Sequence, residues 1–396
     1  MSNESDTDDR TIIHRSRLED DAGAPAAEDL NTTVLVRTGH IAAGPDERAH
    51  YLTVVAGQHL GMRIELGPKS IVLGRVAPAD VVLDDGQISR NHCRVAIVMD
   101  EVFVNDLGSS NGTFVDGARV ERNTYLPPGG RMHIGGHVLE HEWRLRSEVE
   151  ASMKLDHDLA SAGRYVQSLL PDPVADGPIR TEWVLLPSAT LGGDVFGYHR
   201  LGAEAFAIYL IDVSGHGAGA ALHAVSVINT LRQSSLPGID MRDPAAVAGY
   251  LNAVFPMESH GDMYLTLWYG VYDRVKRTLA YSSAGHHPSY LVGPARDSIK
   301  PLKTRNVVIG ARRDHKFAVD STDVPPGSRL YVFSDGIFEV DLPEGGQLGL
   351  EGVEPLLLAP AIPGTSEPVR LLDAIRARCA GAPFEDDFTL VVATFL

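Results

Sequence analysis

Five aspartates in the C-terminal region of the chain stand where a hydrophobic run meets a glycine or a second acid. Asp194 follows Gly192-Gly193 and precedes Val195-Phe196. Asp212 ends the run FAIYLI and opens Asp212-Val213-Ser214-Gly215-His216-Gly217. Asp335 ends LYVFS and opens Asp335-Gly336-Ile337, and Asp386-Asp387 precede Phe388-Thr389-Leu390-Val391-Val392. One such aspartate is an ordinary turn residue. Several that converge repel one another unless a divalent cation neutralises them. Oxygen-only ligands suit Mg²⁺ or Mn²⁺ rather than zinc. Two such ions ~3.5–4 Å apart activate water and polarise a phosphoryl group for in-line attack. That chemistry needs no protein nucleophile, in keeping with a sequence that has neither a GxSxG elbow nor a P-loop. His216 reads either as a general acid for a leaving alkoxide or as part of a tight loop. His286, in SAGHHP, reads as loop structure or as a substrate contact.

A second set of polar residues lies nearer the N-terminus, again in turns. Gly74-Arg75 follows an apolar run, Ser89-Arg90-Asn91-His92 precedes another, and Asp106-Leu107-Gly108-Ser109-Ser110-Asn111-Gly112-Thr113 joins two more. A guanidinium and two hydroxyls converging from separate loops can ligate a phosphate dianion. Asn111 can pin an extended peptide through its main chain. Taken singly, Asn111-Gly112 is a common hairpin turn and Arg75 an ordinary surface charge.

These residues need frames to hold them. The chain has 396 residues, 44% of them hydrophobic and 22% charged, which suits two or three globular domains. Lys+Arg total 35 against 52 Asp+Glu, a net charge of -17 that argues against nucleic acid or an anionic membrane as partner. No run of ~18 apolar residues is present to span a bilayer. The polar start MSNESDTDDR does not read as a secretory signal, and two distant cysteines, Cys93 and Cys379, fit a reducing cytoplasm. Residues 1–48 read as a disordered acidic tail. Residues 49–146 carry short alternating runs separated by Gly, Asp, Asn and Pro turns, the pattern of an all-β sandwich. Residues 147–171 read as a helix with Ser147 as N-cap and Glu150 completing a capping box. Leu155, Leu159, Ala162, Val166 and Leu169 fall at heptad-like spacing, interrupted by Gly163. That stripe either docks on its own domain or pairs two chains as a homodimer. Residues 172–396 mix hairpin-like strands with helices, an α+β arrangement.

In its order and spacing, GR…SRxH…DLxSxNGT resembles the forkhead-associated (FHA) domain. The resemblance implies a phosphothreonine-peptide binder: Arg75 and Ser89 hold the phosphate, Ser110 adds a hydroxyl, Arg90 lies alongside and Asn111 holds the peptide backbone. Gly74, His92 and Gly112 are structural in that family. The C-terminal region resembles the metal-dependent protein phosphatase (PPM) superfamily in its SpoIIE/RsbU-like branch, through GGD at 192–194, DVSGHG, SAGHHP, SDGIFE at 334–339 and DDFTLVV at 386–392. This implies a four-layer αββα sandwich joined by the helix to the FHA-like domain. It also implies two ions, Mn²⁺ or Mg²⁺, held by Asp194, Asp212, the Val213 carbonyl, Asp335 and Asp386 or its neighbour Asp387. Asp212, Asp335 and His216 are then the residues nearest the chemistry. Where the branch commonly has a further acid three residues after GGD, this chain has Gly197, a departure that bears on metal binding.

The implied protein is a serine/threonine phosphatase with a phosphothreonine reader, within a Ser/Thr kinase pathway. Its substrate is a phosphoprotein, in this branch often an anti-sigma-factor antagonist of the STAS type. The competing reading is a phosphopeptide adaptor whose phosphatase fold is weak or inactive. Thr32 and Thr33, in NTTVLVR, resemble the double-threonine segments that kinases modify in some small bacterial FHA proteins. The same residues also read as an ordinary linker strand.

Overall fold

Between Arg48 and Leu145 successive residues of a strand face opposite ways, and inward-facing side chains from most of the strands build one main core. Leu52, Val54, Ile64, Leu73, Val95, Val104, Met132 and Leu139 meet there. The computed structural model describes residues 13–15, 35–37 and 47–396, apart from 216, 234, 235, 260, 262 and 383. Two compact units divide the chain, residues 26–160 and residues 1–25 with 161–396.

In the first unit two sheets face each other. One runs Ala118–Arg119, Thr113–Val115, Arg131–Ile134, His137–Leu145, Arg48–Ala56, Arg63–Leu66 and Leu35–Arg37. The other runs Thr124–Leu126, Glu101–Asp106, Cys93–Val98, Ile71–Gly74 and Val81–Val82. Leu35–Arg37 lies parallel to Arg63–Leu66, with Leu35 opposite Arg63. This is the strand-like reading of NTTVLVR; Thr32 and Thr33 themselves lie outside the described residues. Ile13–Arg15 likewise pairs with Ile179–Leu186 in the second unit. The segment read as a disordered tail thus contributes two short strands, each satisfying an edge that would otherwise expose unpaired backbone groups.

The second unit stacks four layers. A six-stranded sheet (Ile13–Arg15, Ile179–Leu186, Phe388–Phe395, Ser328–Phe333, Ser289–Val292, Ile299–Leu302) faces a five-stranded one (Asp194–Leu201, Ala205–Val213, Leu265–Asp273, Thr278–Ala284, Asp320–Asp323). Helices α2 (Ala218–Arg232) and α3 (Pro244–Val254) cover the five-stranded sheet, and α4 (Gly349–Leu358) and α5 (Glu367–Arg378) cover the other. One core fills the space between the sheets and beneath α2 and α3; a second lies under α4 and α5. In α3, Asp243 caps the first turn by accepting from Ala245 and Ala246 N–H, with Pro244 at the first helical position.

Helix α1 (Arg146–Ser168) starts one residue before the expected cap, so Ser147 lies inside the first turn. Strand His137–Leu145 runs straight into it, and an ion pair between Arg146 and buried Glu65 at 2.8 Å fixes the join. The heptad stripe does not act as one seam. Leu169 is buried and Val166 half-buried in the core of the second unit, whereas Leu155 is exposed. Gly163 is a close-approach residue rather than a weak point: a Cβ there would stand 2.8 Å from the Thr190 carbonyl. No helix of the described residues is long and apolar enough to cross a membrane.

One buried ion cluster locks α5 to the six-stranded sheet. Glu367 accepts from Arg296, Arg370 and the Tyr331 hydroxyl. Burial alone raises its pKa, but these hydrogen bonds outweigh it and hold the carboxyl at about 2. A carboxylate with a lowered folded pKa stabilises the fold above its unfolded pKa of ~4.3 and loses that contribution as pH falls towards 2. Glu367→Gln is therefore expected to cost about 3 kcal/mol at neutral pH, since it strands two arginines. It also removes part of the acid dependence between about pH 4.5 and 2. Denaturant titrations at pH 7 and pH 3 check this; equal losses at both would show that the charge does not matter.

Candidate functional site

Antiparallel pairing places Asp194 directly opposite Asp212. Like charges so placed destabilise a sheet. In the facing sheet, Ser328–Phe333 and Phe388–Phe395 pair antiparallel, with Phe333 opposite Leu390. The residues just past those ends, Asp335 and Asp386-Asp387, are therefore neighbours. The four segments meet around a cleft of about 440 Å³. Asp212, Val213, Asp335, Asp386 and Asp387 line it together with Glu385, and none of the described lining residues is basic. Asp194 sits behind the wall, 5% exposed, its Oδ2 accepting from Thr389 Oγ1 at 2.6 Å. His216 lies outside the described residues.

The electrostatics follow from burial and crowding. Burial first, then the charges of Asp335, Asp386 and Asp387, push the Asp212 carboxyl up to about 7. Burial, then Asp386 and Glu339, push Asp335 up to about 6. Asp194 is raised well above the usual range by burial and by Asp212 and Asp387. A divalent cation reverses this strain by favouring the charged forms.

Asp386 and Asp387 differ in what they touch. Asp387 is 5% exposed and uses both oxygens internally. Oδ1 accepts from Ser188 N–H at 2.8 Å and Ser188 Oγ at 3.0 Å; Oδ2 accepts from Gly193 N–H at 2.7 Å and Asp194 N–H at 3.3 Å. It ties the 188–194 loop to the other sheet. Asp386 is exposed to the cleft. The glycines of the motifs are spaces filled by this pair. A Cβ on Gly192 would fall 2.2 Å from Asp387 Oδ2, and one on Gly336 would fall 2.3 Å from the Asp387 carbonyl oxygen. Gly193 brings its strand against the Val213 carbonyl, 2.7 Å from where its Cβ would be.

The donor set fits hard divalent ions: carboxylates and a backbone carbonyl, without thiol or imidazole. Among the described residues no three His, Cys, Asp or Glu side chains already stand at ligand spacing.

Two expectations change on this geometry. Gly197 is a packing residue: the Tyr209 hydroxyl would lie 2.3 Å from its Cβ, and the Tyr209 ring stacks on Tyr269. Gly197 does not line the cleft. His286 is 2% exposed, its Nδ1–H donating to the His287 carbonyl, and burial lowers its pKa to about 4. It is loop structure.

The turn residues of the first unit form a second cluster. Gly74 lets the chain cross beneath the Arg90 carbonyl, only 2.0 Å from where a Cβ would be, and Arg75 N–H then donates to the Ser89 carbonyl. Ser89 Oγ accepts from Ser110 N–H at 3.0 Å, and Asn111 Nδ2 donates to the Gln87 carbonyl at 2.8 Å. Beneath them, fully buried His92 accepts from Ser89 N–H at Nδ1 and donates from Nε2 to the Gly112 carbonyl, linking the two loops. Asp106 organises the loop that carries Ser110 and Asn111. Its carboxylate accepts from Gly108 and Ser109 N–H and from the hydroxyls of Ser109 and Thr113. Burial opposes ionisation there, but these bonds hold its pKa down to about 2. Asp106 and Thr389 stood inside quoted motifs without an assigned role, whereas Gln87 and Ser188 carried no sequence signal, because each acts through a contact with a distant segment.

Residues 202–396 match the family model Stage II sporulation protein E (SpoIIE), and residues 71–135 match the FHA domain. The chain is 26% identical over 209 residues to phosphoserine phosphatase RsbU of Bacillus subtilis, covering 53% of this chain and 61% of RsbU. It is 33% identical over 125 residues to the FHA domain-containing protein FhaB of Mycobacterium tuberculosis, covering 31% of this chain and 81% of FhaB. The SiaA-PP2C domain of Pseudomonas aeruginosa shares the fold at a TM-score of 0.54 and 21% identity, covering 62% of this chain and 98% of that domain. The chain thus spans less than two thirds of RsbU, and 38% of Protein IcfG of Synechocystis, to which it is 27% identical over 249 residues. With the loop signature and these matches together, the chain belongs to the FHA-domain proteins, and its residues 202–396, which match the SpoIIE model, share the fold of the SiaA-PP2C domain.

Proposed function

We propose that the chain is a metal-dependent phosphatase acting on phosphoserine or phosphothreonine in a protein, and that its N-terminal domain reads phosphothreonine. The observation that carries the first part is one cleft lined by carboxylates with no basic side chain among its described residues. Asp212, Asp335, Asp386 and the Val213 carbonyl would hold two ions, Mn²⁺ or Mg²⁺, with Asp194 supporting Asp212 from the paired strand. When bound, the ions supply activated water and neutralise the phosphoryl charge. The chain's own part is placement. Asp387 fixes the 188–194 loop, Thr389 orients Asp194, and Ser214 is held at the rim by accepting from Tyr264 N–H at 3.0 Å. Gly197, the residue that favoured an inactive fold, does not line the cleft, which supports the active reading over the adaptor. Phosphate release from p-nitrophenyl phosphate and from a phosphoserine protein should require Mn²⁺ or Mg²⁺ and stop with chelator; release indifferent to metal would sink the proposal.

The second part is supported by the hydrogen bonds that join the loops carrying Arg75, Ser89, Arg90, Ser110 and Asn111, from Arg75 N–H to the Ser89 carbonyl and from Ser110 N–H to Ser89 Oγ. Arg75→Ala is expected to weaken phosphothreonine-peptide binding about a hundredfold, the scale of a charge-assisted phosphate contact. Unchanged binding by fluorescence anisotropy would remove Arg75 from the site. A kinase pathway, a STAS-type substrate and pairing of two chains through α1 remain part of the same proposal; the exposed Leu155 supports the last. Phosphorylation of Thr32 or Thr33 belongs with it, as a source of ligand on the same chain.

A further inference from the structure

The second unit has another cleft, of about 410 Å³, at the far end of its six-stranded sheet. Strand register sets its floor. Arg180 and Arg329 both pair with Thr394, which lies between them on Phe388–Phe395. Residues paired across a sheet share a face, so the three side chains form one row. It is the face that α4 and α5 cover: Val184, Val392 and Tyr331 on it belong to the core beneath those helices. Thr365 and Ser366, just before α5, form one wall of the cleft, and Pro173, Val174 and Ala175 form another. Asp387, at the aspartate cleft, stands seven residues before Thr394 on the same run, roughly 20 Å away.

Among the described residues, the Arg180 and Arg329 side chains make no hydrogen bond or ion pair. Acidic groups stand on the wall, but they are committed elsewhere. Glu367 accepts from Arg296, Arg370 and Tyr331, and Arg296 is spent on Glu367 and on the Leu357 and Ala359 carbonyls. Glu182, one row further in, is held by the Glu367 N–H and reaches Arg329 only through space. The Leu396 carbonyl oxygen accepts from Arg277. Strand spacing puts the Arg180 and Arg329 Cα atoms roughly 10 Å apart, a gap that two arginine side chains bridge through one oxyanion. Two guanidiniums facing one cavity repel, as the aspartates do in the other, and an anion relieves the repulsion. The planar fork of arginine suits phosphate oxygens, and the Thr394 hydroxyl adds a donor between the two. The cleft is larger than inorganic phosphate needs and falls in the range of small-molecule sites. Pro173, Val174, Ala175 and Ala361 give it an apolar side.

We propose that Arg180 and Arg329, with Thr394 between them, bind the phosphate of a small organic phosphoester at a site separate from the aspartate cleft. The apolar side of the cavity takes the organic body. The inference depends on neither the phosphatase nor the phosphothreonine reading.

The test is calorimetric titration of the full chain in chelator, which keeps cations off the aspartates. The probes are glucose 6-phosphate, adenosine 5′-monophosphate, inorganic phosphate and citrate. At least one of the two phosphoesters should bind, about tenfold more tightly than inorganic phosphate because the apolar side adds contact. Arg180→Gln and Arg329→Gln should each weaken that binding about tenfold, the share of one charge-assisted contact. Arg75→Ala should leave it unchanged, which separates this site from the loops of the first unit. Arg180 is exposed, so its variant serves alone if Arg329→Gln does not fold. Equal binding of the phosphoesters and inorganic phosphate, or tighter binding of citrate, overturns the phosphoester assignment. Uptake that survives Arg180→Gln, or that Arg75→Ala abolishes, places the anion elsewhere and overturns the site. No uptake of any probe up to about 10 mM overturns it as well, since each offers oxyanions to the same two guanidiniums.

Discussion

Asp212→Asn is expected to lower metal-dependent phosphomonoester hydrolysis by about a thousandfold or more, in the range seen when a group supplying transition-state charge stabilisation is removed. The reason is its position. Asp212 faces Asp194 across the strand pair, lines the cleft, and feels Asp335, Asp386 and Asp387. The same variant should behave oppositely in stability with and without metal. A carboxyl whose folded pKa is raised above its unfolded value destabilises the fold once pH exceeds the unfolded pKa. Without metal at pH 7, removing that charge should therefore stabilise the protein, by about 2 kcal/mol. With saturating Mn²⁺ the order should reverse, because ligand binding stabilises the wild type by mass action. Thermal melts in chelator and in Mn²⁺, beside the hydrolysis assay, test both halves. An active Asp212→Asn enzyme, or a variant less stable in chelator, contradicts the assignment.

The neighbouring pair at 386–387 should separate into a ligand and a scaffold. Asp387→Ala removes the acceptor of three backbone N–H groups and one hydroxyl in a buried position. Unsatisfied buried donors cost about 1–3 kcal/mol each before relaxation. The expected loss is about 3 kcal/mol of stability, with at least a hundredfold loss of activity as the 188–194 loop shifts. Asp386→Asn should leave stability within about 0.5 kcal/mol, as exposed substitutions do. It should raise the Mn²⁺ concentration needed for half-maximal activity. Equal effects on folding at the two positions would refute this division of labour.

The division was not visible in the string DDF. Either carboxylate there could ligate, and only the fold shows that one of them already has its oxygens filled by residues almost two hundred positions earlier. The same holds for the glycines. GGD and SDG could be recognised as patterns, but the cause is steric: the Asp387 side chain and the 386–387 backbone occupy the places a Cβ would take at Gly192 and Gly336. Gly197 looked like a lost acid and is instead the floor under Tyr209. Helices α3 and α4 leave weak patterns in the sequence. AAVAGYLNAV is rich in small residues, and Pro355 interrupts α4.

Local chemistry was legible from the sequence. Alternation set the strands of the first unit, aspartates at either end of apolar runs marked strand ends, and Gly, Ser, Arg and Asn in turns marked a phosphate-reading surface. These signals are short in range, since strand period and turn preference depend on neighbouring residues. Which carboxylate faces the cleft and which is spent on backbone donors are settled by contacts between segments far apart in the chain. Such contacts leave no periodic trace in a single sequence, so only the packed tertiary structure could decide them.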